Sequence, residues 1–144
     1  MHSMGLIHRD LKLDNILVKS KEEGITPKII DFGLAVHKIN LKNLDKHQKF
    51  SGTPGFVAPE LYYHREYDET VDLFSLGVIM YFLLCGRLPF HSIDPLEVRE
   101  LTCRCEVPLD SKIWKERSPE SKDLLLKMLT YKSNRISSAA AYHH

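Results

Sequence analysis

The sequence predicts a mainly α-helical domain with a few short strands in its first part. Three observations indicate this class. Apolar runs are short and broken by glycine, proline and charge up to about residue 60, longer segments of helical period follow, and helix-start signals recur among them. At 144 residues with 43% hydrophobic side chains, the chain has the size and composition of one domain with its own core.

The charge balance argues against a general attraction to polyanions. Lysine and arginine total 20, aspartate and glutamate total 19, and the formal net charge is +1. Such a domain has no overall field that would hold it on nucleic acid or on an anionic membrane. The longest apolar stretch, residues 76–85, is shorter than the about 20 residues that cross a bilayer. With no basic-then-apolar leader either, we expect no nucleic-acid partner, no membrane contact and a cytoplasmic location.

The three cysteines, Cys85, Cys103 and Cys105, do not predict a disulfide framework or a metal site. Their number is odd, and none are paired at zinc-ribbon or thioredoxin spacing. Two positions apart on a helix, Cys103 and Cys105 would diverge by roughly 200° and could not share one ion. We expect packing or surface thiols.

Two β-branched runs in the first part predict a hairpin or a pair of short strands. Ile16-Leu17-Val18 and Ile29-Ile30 are separated by the polar residues 19–28, which contain glycine and proline. Residues 38–49 then carry a cluster of lysines that only Asp45 opposes. These are Lys38, Lys42, Lys46 and Lys49. A segment this polar has no face to bury, so we expect a mobile, basic surface loop.

A long helix is predicted over residues 69–84. Its apolar side chains occupy most of the helical circumference, as in a helix buried inside an α-domain. They are Val71, Phe74, Leu76, Val78, Ile79, Phe82 and Leu83. We expect this helix to be the hub of the core.

Three further helices follow. Asp94 as N-cap and Pro95 at the first helical position predict a helix that extends to residue 106. Ser118-Pro119-Glu120 repeats that signal ahead of an apolar stripe, and a last helix begins near Ser137 or Ser138.

The motifs that carry chemistry occur in one order in the first part. His8-Arg9-Asp10-Leu11-Lys12-Leu13-Asp14-Asn15 is followed by Asp31-Phe32-Gly33, Gly52-Thr53-Pro54 and Ala58-Pro59-Glu60. Each is weak alone, but their order and separations together are specific. On these motifs, residues 1–144 resemble the C-terminal, catalytic lobe of a serine/threonine protein kinase, closest in look to the calcium/calmodulin-dependent group.

This resemblance implies a kinase-like C-lobe, mainly α with a few short strands, from which the N-terminal lobe is missing. It places a catalytic loop at residues 8–15, an activation segment at 31–60 and a helical subdomain at 61–144. We expect these three segments to make up one partial kinase domain.

The implied reaction is phosphoryl transfer from ATP with Mg²⁺, in which the enzyme mostly positions the reactants and neutralises charge. Asp10 would accept the proton of the substrate hydroxyl, and Lys12 would neutralise charge on the transferring phosphate. Asn15 and Asp31 would hold magnesium through hard oxygen ligands. Leu17 would form the floor of the adenine pocket, although an apolar strand residue packs equally well without a nucleotide.

The resemblance also implies the substrate class. Lys12 and Thr53 match members of the family that phosphorylate serine and threonine in proteins. Asp14 occupies a position that is acidic in relatives preferring a basic residue before the acceptor, which predicts arginine upstream of the serine or threonine. The alternative for Asp14 is a solvated loop carboxylate.

Other matches imply structural roles, among them His8 and Arg9 in the catalytic loop. Glu60 and Arg135 match a buried ion pair whose breakage would cost ~3–5 kcal/mol. Asp72 would brace the backbone of the catalytic loop.

One departure concerns regulation. Arg9 before the catalytic aspartate is typical of kinases whose activation loop is ordered by a phosphate. The position that usually bears this phosphate is Lys49, which would repel Arg9. Either Ser51 or another nearby group substitutes, or loop phosphorylation is not the switch.

A larger departure lies upstream of His8. The glycine-rich loop, strand lysine and helix glutamate of the family do not occur there, so we expect these residues alone to be inactive. The leading interpretation is a fragment of a serine/threonine kinase. The alternatives are a non-catalytic, kinase-like docking or binding module and an incomplete gene record of a normal enzyme.

Overall fold

Short strands occupy the first part of the chain and helices the second, as predicted. The computed structural model describes residues 1–21 and 24–144. The strands are β1 (Leu6–Ile7), β2 (Ile16–Lys21), β3 (Gly24–Ile29) and β4 (Val36–His37). The α-helices are α1 (Lys46–Lys49), α2 (Pro59–Tyr62), α3 (Thr70–Cys85), α4 (Pro95–Arg104), α5 (Lys112–Lys115), α6 (Pro119–Met128) and α7 (Ser138–Tyr142). Short 3-10 helices lie at His2–Met4, Leu13–Asn15, Lys38–Asn43 and Lys132–Asn134.

The strands form two separate antiparallel pairs. β2 and β3 pair in a register that places Ile16 opposite Ile29, which confirms the predicted strand pair. Residues 22–23, between these strands, lie outside the described residues. β1 pairs with β4, with Leu6 opposite His37. The second pair therefore joins the segment just before the first motif to the segment that follows Asp31-Phe32-Gly33.

Helix α3 is the centre of the core. Val71 and Phe74 are almost completely buried, and the ring of Phe74 stacks on Phe90 with 5.8 Å between centroids. The prediction that apolar side chains are buried all round this helix is wrong at two positions, because Leu76 is 40% exposed and Leu83 is 72% exposed. Over the described residues, no helix is both long and apolar enough to span a membrane.

A glycine in the middle of α3 allows α6 to pack closely against it. A Cβ atom at Gly77 would lie 2.9 Å from Leu129 Cδ2 and 2.9 Å from Met128 Cβ, closer than side chains tolerate. Glycine inside a helix costs about 1 kcal/mol relative to alanine. The close helix contact explains why that cost is accepted here.

The predicted helix starts are confirmed by their caps. The Asp94 carboxylate accepts a hydrogen bond from Leu96 N at 2.9 Å, and Ser118 Oγ accepts one from Ser121 N at 3.1 Å. Ser137 caps α7 in the same way. The helix that was expected to run from Pro95 to residue 106 is shorter. It is α4, and it ends at Arg104 because Cys105 adopts the left-handed conformation with φ 54°.

The lysine-rich segment 38–49, predicted to be a mobile, basic surface loop, has local helical structure and packs against the core. It contains the 3-10 helix Lys38–Asn43 and the short helix α1. Leu41 and Leu44 pack against the core, so the expectation that this segment has no face to bury is wrong. The prediction rested on the many charged residues of the segment and took no account of these two leucines. The side chain of Lys46 lies outside the described ones.

Candidate active site

A buried carboxylate at the start of α3 holds the backbone of the first motif. Asp72 Oδ2 accepts a hydrogen bond from His8 N at 2.8 Å, and Asp72 Oδ1 accepts one from Arg9 N at 2.9 Å. Arg9 has φ 68°, in the left-handed region, which costs a non-glycine residue about 1–2 kcal/mol. The two hydrogen bonds offset this cost and fix the turn that presents Asp10.

Sequence reasoning missed a second partner of this carboxylate. His2 Nε2 lies 2.8 Å from Asp72 Oδ2, and Asp72 is almost fully buried. Donation from Nε2 to the carboxylate satisfies both groups. Nothing local could have shown this contact, because the two residues are 70 positions apart and His2 belongs to no ligand motif.

Asp10, Lys12, Asn15 and Thr53 form one hydrogen-bonded cluster. The Thr53 hydroxyl donates to Asp10 Oδ1 at 2.7 Å. Lys12 Nζ donates to Thr53 Oγ1 at 2.9 Å and lies 3.2 Å from Asp10 Oδ2. Asn15 Nδ2 donates to the Asp10 carbonyl at 2.9 Å and to Oδ2 at 3.2 Å. The fold thus brings Thr53 into contact with two side chains of the first motif, Asp10 and Lys12.

A glycine next to Thr53 makes this approach possible. At Gly52, φ is 121°, and a Cβ atom would lie 2.7 Å from the Arg9 carbonyl oxygen and 2.8 Å from Val57 Cγ2. Only glycine combines this conformation with so close a backbone contact. The residue therefore fixes the loop that carries Thr53 against the loop that carries Asp10.

Asp31 is tied to the same region through its neighbours. Ile30 N donates to the Asn15 carbonyl at 2.9 Å, and His8 Nε2 lies 3.1 Å from the Ile30 carbonyl oxygen. The rings of His8 and Phe32 meet edge to face, with 5.0 Å between centroids. Asp31 lies between these two contacts with φ 60°, exposed to solvent. Its Oδ1 accepts from Gly33 N at 3.1 Å.

The oxygen atoms of Asn15 and Asp31 suit a hard cation. The Asn15 amide nitrogen is held by Asp10, which directs the amide oxygen away from that carboxylate. Across the described ranges, no three or more histidine, cysteine, aspartate or glutamate side chains gather into a metal site. Mg²⁺ takes few protein ligands when it shares phosphate oxygens and water, so a donor set of one amide and one carboxylate could hold it.

Leu17 and Asp14 lie at the edge of this cluster. Leu17 is on β2 and 53% exposed, so about half of its surface is open to solvent. Asp14 is exposed in the 3-10 helix Leu13–Asn15. Both side chains are accessible to a ligand or a partner.

The Arg9 guanidinium donates hydrogen bonds to neutral acceptors. Its Nε donates to the Leu34 carbonyl at 2.7 Å, and its Nη1 donates to the Gln48 carbonyl at 2.6 Å and to the Tyr67 hydroxyl at 3.0 Å. The backbone beside Lys49 therefore contacts the Arg9 guanidinium directly. The buried Oγ of Ser51 has no hydrogen-bond partner among the described residues, and a phosphate-bearing role for Ser51 stays a prediction.

Glu60 and Arg135 form a buried ion pair. Arg135 Nη1 lies 2.6 Å from Glu60 Oε1, and Nη2 lies 3.0 Å from Oε2, a bidentate geometry. The side chains are 0% and 5% exposed for Arg135 and Glu60. The guanidinium also donates to the Thr130 and Thr70 carbonyls. The pair thus links α2 to the segment after α6.

The Cys105 thiol lies near this pair. Burial raises its pKa to about 11, against the opposing influence of Arg135. A thiol with such a pKa stays protonated at neutral pH, which makes it a poor nucleophile. Within the described residues, all three cysteines are free.

Comparison with known proteins identifies the class. The family model for the protein kinase domain matches residues 1–144, so the chain belongs to the protein kinase family and is, by family, a phosphotransferase. This confirms the resemblance that the ordered motifs predicted.

The relatives narrow the group to serine/threonine kinases. The chain is 39% identical to myosin light chain kinase A of Dictyostelium discoideum over 145 residues, which cover 100% of this chain and 48% of that protein. It is 37% identical to the calcium/calmodulin-dependent protein kinase type II alpha chain of Drosophila melanogaster, over 99% of this chain and 27% of that protein. A probable serine/threonine-protein kinase 2 of Plasmodium falciparum is 38% identical over 89% of this chain and 24% of that protein. The chain thus spans about half or less of each of these relatives.

Proposed function

We propose that residues 1–144 form the catalytic lobe of a serine/threonine protein kinase that transfers the γ-phosphate of ATP to hydroxyls of protein substrates. The observation that carries this proposal is the cluster in which Thr53 bridges Asp10 and Lys12. With both side chains fixed by the Thr53 hydroxyl, Asp10 can take the proton of the attacking hydroxyl while Lys12 stabilises charge on the transferring phosphate. The names of the relatives support the choice of serine and threonine as acceptors.

Asp10 is the proposed proton acceptor. Thr53 and Asn15 donate hydrogen bonds to its carboxylate, which fixes the orientation of both oxygens. A carboxylate has about four acceptor sites, so room remains for the hydroxyl of a substrate. Asp10 would orient that hydroxyl and take its proton as the oxygen attacks.

Lys12 is the proposed charge-stabilising group. Its ammonium lies beside Asp10 and is held by Thr53, so a positive charge is fixed near the point where the reacting oxygen would lie. Preorganised charge of this kind stabilises a transition state because it needs no reorganisation during the reaction. Magnesium-bound ATP, when present, supplies the phosphoryl group and neutralises charge on its oxygens. Asn15 and Asp31 would hold that ion, and the role of Leu17 beneath the adenine stays a prediction.

Substrate choice is proposed to depend on Asp14. Its exposed carboxylate lies in the same 3-10 helix as Asn15, where a basic side chain of a bound peptide could reach it. The test uses residues 1–144 fused behind the N-terminal lobe of a related serine/threonine kinase. Replacing upstream arginine by alanine in peptide substrates should lower kcat/KM of this chimera and have little effect on its Asp14→Asn variant. An equal effect on both proteins would contradict this role.

Residues 1–144 include no G-x-G-x-x-G segment, so we propose that they need a second segment to cradle the nucleotide phosphates. The experiment is to fuse the chain behind the glycine-rich N-terminal lobe of a related serine/threonine kinase. The chimera should phosphorylate serine peptides at about 1–100 s⁻¹ and should not phosphorylate tyrosine peptides, whereas the 144 residues alone should show no turnover.

The outcomes separate the alternatives. Turnover by the 144 residues alone would contradict the need for a second segment. A folded chimera that binds ATP but transfers no phosphate would contradict the catalytic proposal and favour a kinase-like docking module. Cytoplasmic location and the absence of nucleic-acid or membrane partners stay predictions.

A further inference from the structure

A cationic pocket lies on the surface between three segments of the chain. Its cavity has a volume of about 140 Å³. Lys38 and Lys42 come from the 3-10 helix after β4, Lys49 ends α1, and Arg65 and Glu66 follow α2. None of these residues belongs to the Asp10 cluster.

The pocket has a surplus of positive charge. Four cationic side chains and one carboxylate line it. Among the ion pairs that the described part of the chain makes within 4.0 Å, none includes Lys38, Lys42, Lys49 or Arg65. Like charges that line one cavity repel one another, so an anion bound between them would lower the electrostatic energy of the folded chain.

The walls of the pocket are fixed by the fold. Lys38 N donates to the Gly5 carbonyl at 2.8 Å, Lys49 N to the Asp45 carbonyl at 2.9 Å and Arg65 N to the Glu60 carbonyl at 3.0 Å. Leu41 and the buried Tyr67 complete the lining. Each segment is thus held through its own backbone, and the Arg9 guanidinium joins two of them through the Gln48 carbonyl and the Tyr67 hydroxyl.

The Arg65 side chain, which lines the pocket, is held by a ring that lies outside the lining. Its guanidinium lies over the Tyr63 ring, 5.0 Å from the centroid. A stacked guanidinium loses little further freedom when it forms hydrogen bonds to an anion. This side chain is therefore the best prepared of the four cations to act as a donor.

We propose that this pocket binds a phosphate group, as the dianion of a phosphomonoester or as free inorganic phosphate. A cavity of about 140 Å³ exceeds the ~10–15 Å³ that one water needs on the same measure, and a tetrahedral dianion offers oxygens in several directions to donors from three segments. A carboxylate offers one charge and two oxygens, and leaves more of the repulsion in place. Arginine and lysine bind phosphate oxygens through charge-assisted hydrogen bonds. The site goes beyond the proposed function, since binding there does not involve Asp10.

Calorimetric titration of the 144-residue chain tests the proposal. The probes are inorganic phosphate, O-phosphoserine and acetate at one fixed ionic strength. Phosphate and phosphoserine should each bind with one site per chain, and acetate should bind at least about tenfold more weakly. Tighter binding of phosphoserine would identify a phosphomonoester as the ligand, whereas tighter binding of inorganic phosphate would identify the free ion.

A matched pair of variants separates a built site from general attraction. Lys49→Gln/Arg65→Gln should weaken phosphate binding about tenfold or more. Lys112→Gln/Lys115→Gln removes the same charge from exposed positions on α5 and should leave binding unchanged. Circular dichroism of each protein confirms that the variants keep the native helix content.

Limited trypsin digestion gives a second readout within the same chain. Phosphate should slow cleavage after Lys38, Lys42 and Lys49, because a bound dianion joins their segments, while cleavage after Lys112 and Lys115 keeps its rate. Equal loss of phosphate binding in both double variants, no saturation in the titration, or equal protection at all five lysines would overturn the proposal. None of these results depends on kinase activity, so they are independent of the proposed phosphoryl transfer.

Discussion

Removing the arginine of the buried Glu60–Arg135 pair should bring the domain close to unfolding. In Arg135→Ala, Glu60 would keep a buried carboxylate that had lost two charge-assisted hydrogen bonds of 2.6 and 3.0 Å. The Thr130 and Thr70 carbonyls would lose their donor, and the Phe74 ring would lose the guanidinium 5.0 Å from its centroid. Breaking a buried pair on one side costs about 3–5 kcal/mol, a large share of the roughly 5–15 kcal/mol that stabilises a domain.

Urea unfolding followed by circular dichroism measures this cost. With a slope of about 2 kcal/mol per molar urea, the midpoint should fall by about 2 M with the slope unchanged. Arg135→Lys keeps the charge but loses the bidentate geometry, so its midpoint should lie between those of the other two proteins. The double variant Glu60→Leu/Arg135→Met leaves no unpaired charge and should recover much of the loss. A loss below about 1 kcal/mol for Arg135→Ala would show that the pair is solvated, and would refute this reasoning.

Three further changes test other parts of the structure. Thr53→Val removes the hydroxyl that donates to Asp10 at 2.7 Å and should lower kcat/KM of the chimera about tenfold; an unchanged value would contradict the bridging role. Asp72→Asn should destabilise the domain by about 1–3 kcal/mol in urea unfolding, because an amide has one acceptor oxygen for the two backbone N–H groups that the carboxylate holds. An unchanged free energy of unfolding would show that these two hydrogen bonds matter little. The Cys105 thiol has a pKa of about 11 against an ordinary 9.0, so at pH 8 its thiolate fraction and its alkylation rate should be ~100-fold lower in the folded than in the unfolded chain, measured by mass spectrometry with the other two cysteines replaced by serine. Equal rates would contradict its burial. Because the pKa of this thiol is higher in the folded chain, the thiol destabilises the fold only as pH rises above about 9, where it ionises first in the unfolded chain.

Local signals explain most of what could be predicted from the sequence. Asp94 and Ser118 mark helix starts because an N-cap acts on backbone groups two or three residues away. The β2–β3 pair follows from two β-branched runs close in sequence. The ordered motifs indicated which side chains gather around Asp10, although the sequence alone contained no distances.

Features that depend on packing between distant segments could not be predicted. Charge in segment 38–49 concealed the two leucines that anchor it, because their contacts lie in other parts of the core. Helix α3 has an apolar side chain at nearly every turn, so the pattern could not show that Leu76 and Leu83 lie on its more open side. The contact of His2 with Asp72 likewise exists only after folding.

The turnover of the Asp10→Asn chimera tests the central proposal most directly. Asparagine preserves the size of the side chain but cannot take a proton, so kcat should fall by about 10²–10⁴-fold with ATP binding and helix content unchanged. Asp110→Asn, at an exposed position outside the cluster, is the matched control and should keep the native kcat. If kcat of Asp10→Asn stays within about threefold of that control, Asp10 is not the proton acceptor, and the proposed mechanism is wrong.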